Sequence, residues 1–228
     1  MAAVLVTAYY AIKVVFFISG NKQKYSKNAN CWGANVLRVF GINVDVKGLN
    51  HLTPGKTYIL ASNHSSLLDI PVMFSTFREH NYIIIYKTEL EKIPLFGKSL
   101  KVSPFVSIDR SDARNAMASI EKTLEQMKGK DCPIIFPEGT RSEDGKLQSF
   151  KRGAFLLASR SKKPIVPIAI IGTSDIVRKG TLDVKSRGKV KVIINPPIEN
   201  STDMDRVAEK ALMEKVHNII KESIDNNS

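Results

Sequence analysis

A chain of 228 residues with 34 Lys and Arg against 22 Asp and Glu, a formal charge of +12, is long enough for one core of ordinary size. That charge asks for an anionic partner: nucleic acid, phospholipid headgroups or a phosphorylated small substrate. The two cysteines, Cys31 and Cys132, stand in unrelated contexts, which excludes a disulfide framework and a cysteine zinc site and fits a reducing, cytosol-facing location.

The first element is Ala2 to Ile18, apolar apart from Thr7 and Lys13. An upright helix needs about 20 apolar residues to cross a hydrocarbon core, so this run is short for a span. A cleaved signal peptide is not expected, because no basic region precedes the run and no small-residue cleavage site ends it. Gly20 to Asn30 reads as a basic, polar turn with Lys22, Lys24 and Lys27, and Ala29 to Phe40 as a second apolar helix with Trp32, Val36, Leu37 and Val39. Residues 1–41 are therefore expected to form a helical hairpin that associates with one membrane leaflet, its lysines meeting an anionic surface. The alternative is a hairpin that covers the core of the main domain.

From Ile42 the pattern alternates. Strands are expected at Asn43 to Lys47, Thr57 to Ser62, Tyr82 to Tyr86, Phe105 to Ile108, Pro133 to Phe136, Ile165 to Ile171 and Lys189 to Ile194. Helices are expected at Leu67 to Glu79, around Ile93 to Leu100, and at Ala113 to Lys128, Lys151 to Ser161 and Met204 to Ile224. This alternation predicts an α/β domain over residues 42–228, a mostly parallel mixed sheet covered by helices on both faces. Ligands of such sheets collect at the carboxyl ends of strands, so functional residues should directly follow several of them.

Three strand ends meet that expectation. Ser62 to Asp69, Ser-Asn-His-Ser-Ser-Leu-Leu-Asp, follows the second strand and leads into a helix. A tight turn and one helical turn bring Asp69 back against His64, which fixes the imidazole tautomer and frees the other ring nitrogen to take a proton from a hydroxyl. The structural alternative makes Asn63, Ser65 or Ser66 a helix cap and Asp69 a partner of the helix dipole. The fourth strand is followed by Asp109-Arg110-Ser111, and the fifth by Pro137-Glu138-Gly139-Thr140-Arg141-Ser142. Arg110 and Arg141 are planar donors suited to phosphate, Gly139 lets the backbone approach a ligand, and Lys151-Arg152 adds cations at a helix start. Nothing calls for a metal or a nucleotide cofactor. The cations are scattered and no recognition helix, zinc finger or stacking platform appears, so nucleic acid is not an expected partner.

Asn63-His64-Ser65-Ser66-Leu67-Leu68-Asp69, Ser107-Ile108-Asp109-Arg110, Phe136-Pro137-Glu138-Gly139-Thr140-Arg141-Ser142 and Ile165-Val166-Pro167-Ile168 resemble, in order and spacing, the four blocks of the glycerolipid acyltransferase family. The likeness covers about residues 42 to 200 and is greatest to the lysophosphatidic acid acyltransferases of the PlsC type, whose bacterial members carry membrane-docking helices similar to the N-terminal hairpin. One departure is Pro104-Phe105-Val106-Ser107-Ile108, where a Gly and a Phe-Ile often stand.

The resemblance implies acyl transfer from acyl-CoA or acyl-carrier protein, as co-substrate and with no cofactor, to the sn-2 hydroxyl of 1-acylglycerol 3-phosphate, making phosphatidic acid. Glycerol 3-phosphate, another lysophospholipid or a lyso-aminolipid is the alternative acceptor. It further implies that His64 is the base and Asp69 its orienting partner, that Arg141 binds the acceptor phosphate with Glu138, Gly139 and Thr140 shaping the pocket, and that Arg110 and Lys151 are supporting cations. A serine nucleophile at Ser65 or Ser66 is the competing chemistry, but neither lies in a Gly-x-Ser-x-Gly setting. The expected place is the cytoplasmic face of a membrane.

Overall fold

A computed structural model of the chain describes residues 2–18, 21–78, 81–108, 113–127, 131–181, 185, 187–200 and 204–227. Seven strands form one sheet: β1 (Ile42–Lys47), β2 (Ile59–Ser62), β3 (Tyr82–Lys87), β4 (Val106–Ile108), β5 (Cys132–Ile135), β6 (Ile165–Ile171) and β7 (Gly188–Ile194). Their order is β1-β7-β6-β2-β5-β3-β4. Every neighbouring pair is parallel except β6 and β7. The central strands are buried on both faces, which is why Ile165 to Ile171 reads as an unbroken apolar run.

Alternate residues of these strands enter two separate cores. Leu60, Ile84, Ile134 and Ile168 face one layer, which holds α1 (Ala2–Lys13), its π-helical continuation Val14–Ile18, α2 (Lys22–Val39) and α3 (Asp69–Thr76). Ile59, Ala61, Ile83 and Ile165 face the other, which holds α5 (Ala113–Met127), α6 (Gly153–Ser161) and α8 (Arg206–Asp225). The short α4 (Phe96–Lys101) packs against α1, and α7 (Thr173–Ile176) follows β6. Helices thus lie on both faces, as the alternation predicts.

Of the expected turn, residues 22–30 are helix. Asn21 caps α2 by accepting the Lys24 N–H at 2.9 Å, and the helix runs on from Lys22, with Tyr25 and Ala29 turned into the core. Lysines disguise this half of the helix in the sequence, since they are good helix formers that mark only its exposed side.

The inner face of the hairpin is part of the core. A Cβ on Gly33 of α2 would lie 2.7 Å from the Pro71 carbonyl oxygen of α3, so the two helices touch backbone to backbone. Tyr82 of β3 donates to the Ser26 carbonyl at 3.2 Å, and Asn30 donates to the Arg78 carbonyl at 3.3 Å. The outer face is unlike this. Val4, Leu5, Tyr9 and Ile12 are exposed, and Phe16 and Phe17 are 70% and 75% exposed. Among the described residues no helix is long and apolar enough to cross a membrane.

Candidate active site

Strand β2 ends at Ser62, and the Asn63 side chain then does a strand's work: it accepts the Ile170 N–H at 2.7 Å and donates to the Ile170 carbonyl at 2.8 Å. Its own backbone is thereby released to turn outward. His64 is next, held by both of its backbone groups. Its N–H donates to Glu138 Oε1 at 2.6 Å, and its carbonyl accepts the Ser142 N–H at 2.8 Å. The imidazole stacks on Phe136 with ring centres 4.1 Å apart and planes inclined by 23°.

His64 Nδ1 lies 2.7 Å from Asp69 Oδ2. Asp69 is completely buried, and the same oxygen accepts the backbone N–H groups of Ser65 and Ser66 at 2.8 and 2.9 Å. A carboxylate that only accepts assigns the proton to Nδ1 and leaves Nε2 with its lone pair. The dyad geometry of this turn is present, whereas none of Asn63, Ser65 and Ser66 is the helix cap: Leu68 holds that position without a side-chain bond, and Asp69 instead accepts from the turn ahead of the helix. α3 begins at Asp69, two residues after the expected start at Leu67.

Ser65 and Ser66 are not nucleophiles. Both are buried; Ser65 Oγ lies 3.1 Å from Thr173 Oγ1, and Ser66 Oγ donates to the Val177 carbonyl at 2.7 Å. Their hydroxyls hold α7 against the His64 turn.

His64 opens onto a cavity of about 640 Å³. Gly139, Thr140, Arg141 and Lys151 line the same space, together with Lys87 at the end of β3 and Lys179. Lys179 pairs with Glu143 at 3.3 Å; among the described residues no carboxylate pairs with Arg141, Lys151 or Lys87. Behind this charged mouth the wall is apolar, with Val14, Tyr25, Ala29, Phe74 and Leu100 drawn from the hairpin, α3 and α4. The cavity therefore has lining for an anion and for an alkyl chain as well as a base.

Gly139 turns the chain at φ +74°, and its N–H is taken by the Phe136 carbonyl at 2.9 Å. A Cβ there would meet Lys151 Cδ at 2.9 Å, so the lysine lies across the glycine. The Lys151 N–H in turn donates to the Pro137 carbonyl at 2.8 Å, tying the β5 loop to the start of α6. The N-terminus of that helix, ahead of Gly153, adds its dipole to the side of the cavity that carries the cations.

One expected pocket residue, Glu138, stands elsewhere. Glu138 is 2% exposed and is not among the residues that line the cavity. Its second oxygen accepts the Gln148 N–H at 3.0 Å, so the carboxylate staples two loops behind His64. Arg110 lies outside the described residues.

Burial pushes the Glu138 carboxyl from 4.5 up to about 7, against the smaller opposing pull of the His64 and Gln148 N–H groups. Between those two values the folded chain keeps a proton that the unfolded chain has lost, so this group's contribution to stability falls as pH rises through that window and is constant above it. Urea denaturation should therefore show the stability of Glu138→Gln gaining on that of the unaltered chain from pH 5 to pH 7, then running parallel. A constant difference across that range would refute the assignment.

Three contributors escaped the sequence reading: Phe136 as a stacking platform, Lys87 as a mouth cation, and Thr173. The last was within reach, because Gly172-Thr173 follows the carboxyl end of β6, a fourth strand end on the same edge.

The family model described as Acyltransferase matches residues 43–171. A chloroplastic 1-acyl-sn-glycerol-3-phosphate acyltransferase of Brassica napus is 34% identical over 174 residues, covering 76% of this chain and 50% of that protein. The 1-acyl-sn-glycerol-3-phosphate acyltransferase of Saccharomyces cerevisiae is 36% identical over 188 residues, covering 80% of this chain and 61% of that one. The chain thus spans about half the length of the curated relatives it matches. The crystal structure of the 1-acyl-sn-glycerophosphate acyltransferase PlsC of Thermotoga maritima superposes with a TM-score of 0.78 at 25% identity, covering 99% of this chain and 95% of that one.

Proposed function

The chain belongs to the acyltransferase family, and from that premise we propose that it esterifies the sn-2 hydroxyl of 1-acylglycerol 3-phosphate with an acyl group from acyl-CoA or acyl-carrier protein, giving phosphatidic acid. The observation that carries this reading is a cavity lined by an Asp-held histidine, by the guanidinium of Arg141, which pairs with no carboxylate among the described residues, and by an apolar wall. The names of the relatives support the choice of acceptor.

In the reaction, His64 Nε2 takes the acceptor hydroxyl proton as the oxygen forms its bond to the thioester carbonyl carbon. The carbonyl π electrons move to oxygen, and this oxyanion meets the cations of the mouth, because the Gly139 N–H is already committed. The oxyanion collapses, the carbon–sulfur bond breaks, and the imidazolium returns its proton to the departing thiolate. The acceptor hydroxyl plays the part that a serine plays in a hydrolase, so no acyl-enzyme is needed. Arg141 takes the acceptor phosphate and Lys151 supports it; the thioester is the only co-substrate, with no cofactor. Free thiol released from palmitoyl-CoA should appear only when lysophosphatidate is present, and release that ignores the acceptor would refute acyl transfer.

Attachment to the cytoplasmic face of a membrane belongs to the same reading. Drawing a lipid chain into water costs about 0.8 kcal/mol per methylene, and an enzyme seated on the leaflet avoids most of that. The exposed Phe16 and Phe17, with the exposed Lys13, Lys24 and Lys27 of the same hairpin, suit an anionic interface. Because the inner face of α2 is core, the informative change is on the outer face and not a deletion. The double variant Phe16→Ser, Phe17→Ser should stay in the supernatant when spun with phosphatidylglycerol vesicles that pellet the unaltered chain, while its unfolding temperature is unchanged. Equal pelleting would refute the docking role.

A further inference from the structure

The Asp69 carboxylate has two oxygens, and the dyad uses one of them. Oδ2 serves His64 Nδ1 and the N–H groups of Ser65 and Ser66, while Oδ1 accepts from Thr173 Oγ1 at 2.6 Å. Thr173 is completely buried and sits 104 positions further along the chain. It is not among the residues that line the cavity.

The placement of Thr173 is tightly built. Gly172 before it has φ +92°, and a Cβ there would fall 2.7 Å from the Lys189 carbonyl oxygen, so the turn that delivers the threonine admits only glycine. Since Thr173 gives its proton to Asp69, the 3.1 Å contact with Ser65 has Ser65 donating to Thr173. Ser65 donates to Thr173 and Thr173 to Asp69, while His64 Nδ1 donates to Asp69 from the other side, so the hydrogen bonds converge on the buried carboxylate that holds the ring.

We propose that Thr173 is a positioning residue of the reaction: its hydroxyl fixes the plane of the Asp69 carboxylate, and through it the aim of His64 Nε2 at the acceptor hydroxyl. This rests on the acyl-transfer reading above. A carboxylate turns easily about its last bond, and backbone N–H groups hold only one of its oxygens. Without the threonine hydroxyl the second oxygen is a bare buried acceptor, and the cheapest relief is rotation away from Nδ1. A misaimed base costs rate and leaves substrate binding in place.

The test compares Thr173→Val, which keeps the shape and removes the hydroxyl, with Thr173→Ser, which returns it. Thr173→Val should lower kcat by about 10- to 100-fold, the scale of a hydrogen bond to a charged group, with KM for acceptor and donor within about twofold. Thr173→Ser should recover kcat to within about threefold of the unaltered chain. A valine variant with undiminished kcat, or a serine variant as slow as the valine one, overturns the proposal. If Thr173→Val does not fold, Thr173→Cys, whose thiol is a weak donor of similar size, should show the intermediate kcat, and full kcat in it overturns the proposal equally. His64→Ala run alongside separates the two claims. An inactive His64→Ala beside a fully active Thr173→Val removes only the positioning role, and an active His64→Ala removes both.

Discussion

Replacing His64 by alanine should reduce turnover by about 10³- to 10⁴-fold while the protein stays folded. The two halves of this result have separate causes. Rate falls because Nε2, which the 2.7 Å bond from Nδ1 to Asp69 orients and whose tautomer it sets, is the base in the proposed reaction. Fold persists because the loop is held by the backbone of His64, its N–H on Glu138 and its carbonyl under Ser142, and neither bond involves the side chain. The structural losses are the ring stacked on Phe136, worth about 0.5–1.5 kcal/mol, and the Nδ1 bond to Asp69, whose Oδ2 keeps the N–H groups of Ser65 and Ser66. Single-turnover thioester cleavage with saturating acceptor, beside a thermal melt, measures both. A folded variant with more than about a tenth of the original turnover would exclude His64 as the base.

Loss of the Arg141 side chain should act on a different kinetic constant. Its guanidinium lines the cavity, and no carboxylate among the described residues competes with a ligand phosphate for it. Arg141→Ala should raise KM for lysophosphatidate by about 30-fold or more, the scale of a charge-assisted bidentate contact, and leave KM for the thioester nearly unchanged. Arg141→Lys should recover only part of the loss, because an ammonium supplies charge without the planar fork. An alanine variant whose acceptor KM is unaltered would move phosphate binding to Lys151 or Lys87.

The contrast between Glu138 and Arg141 shows where a sequence pattern loses resolution. They stand three positions apart in the same Phe-Pro-Glu-Gly-Thr-Arg-Ser run, and both were expected in the pocket. The structure sends one inward to a backbone N–H 74 positions away and the other to the cavity. Gly139, between them, reverses the chain at φ +74°, and a local pattern that marks a turn does not say which neighbour ends on which side of it. The polar half of α2 was lost for a related reason, since its lysines show solvent and conceal that Tyr25 and Ala29 on the same helix are core.

What the sequence alone determined is set by neighbours in the chain: seven strands and the helices between them other than α7 from apolar periodicity, the short apolar run at the start, and the placing of His64, Asp69 and Arg141 just past strand ends. Tertiary structure decided what those groups meet. Sheet order puts β6 beside β2, and so brings Thr173 under Asp69 and Ile170 onto Asn63; it puts β5 on the other side, and so brings Phe136 and Glu138 to His64. The physical reason is range. Helix and strand periodicity are properties of a few consecutive residues, whereas a buried hydrogen bond between residues a hundred positions apart exists only after the strands have chosen their partners.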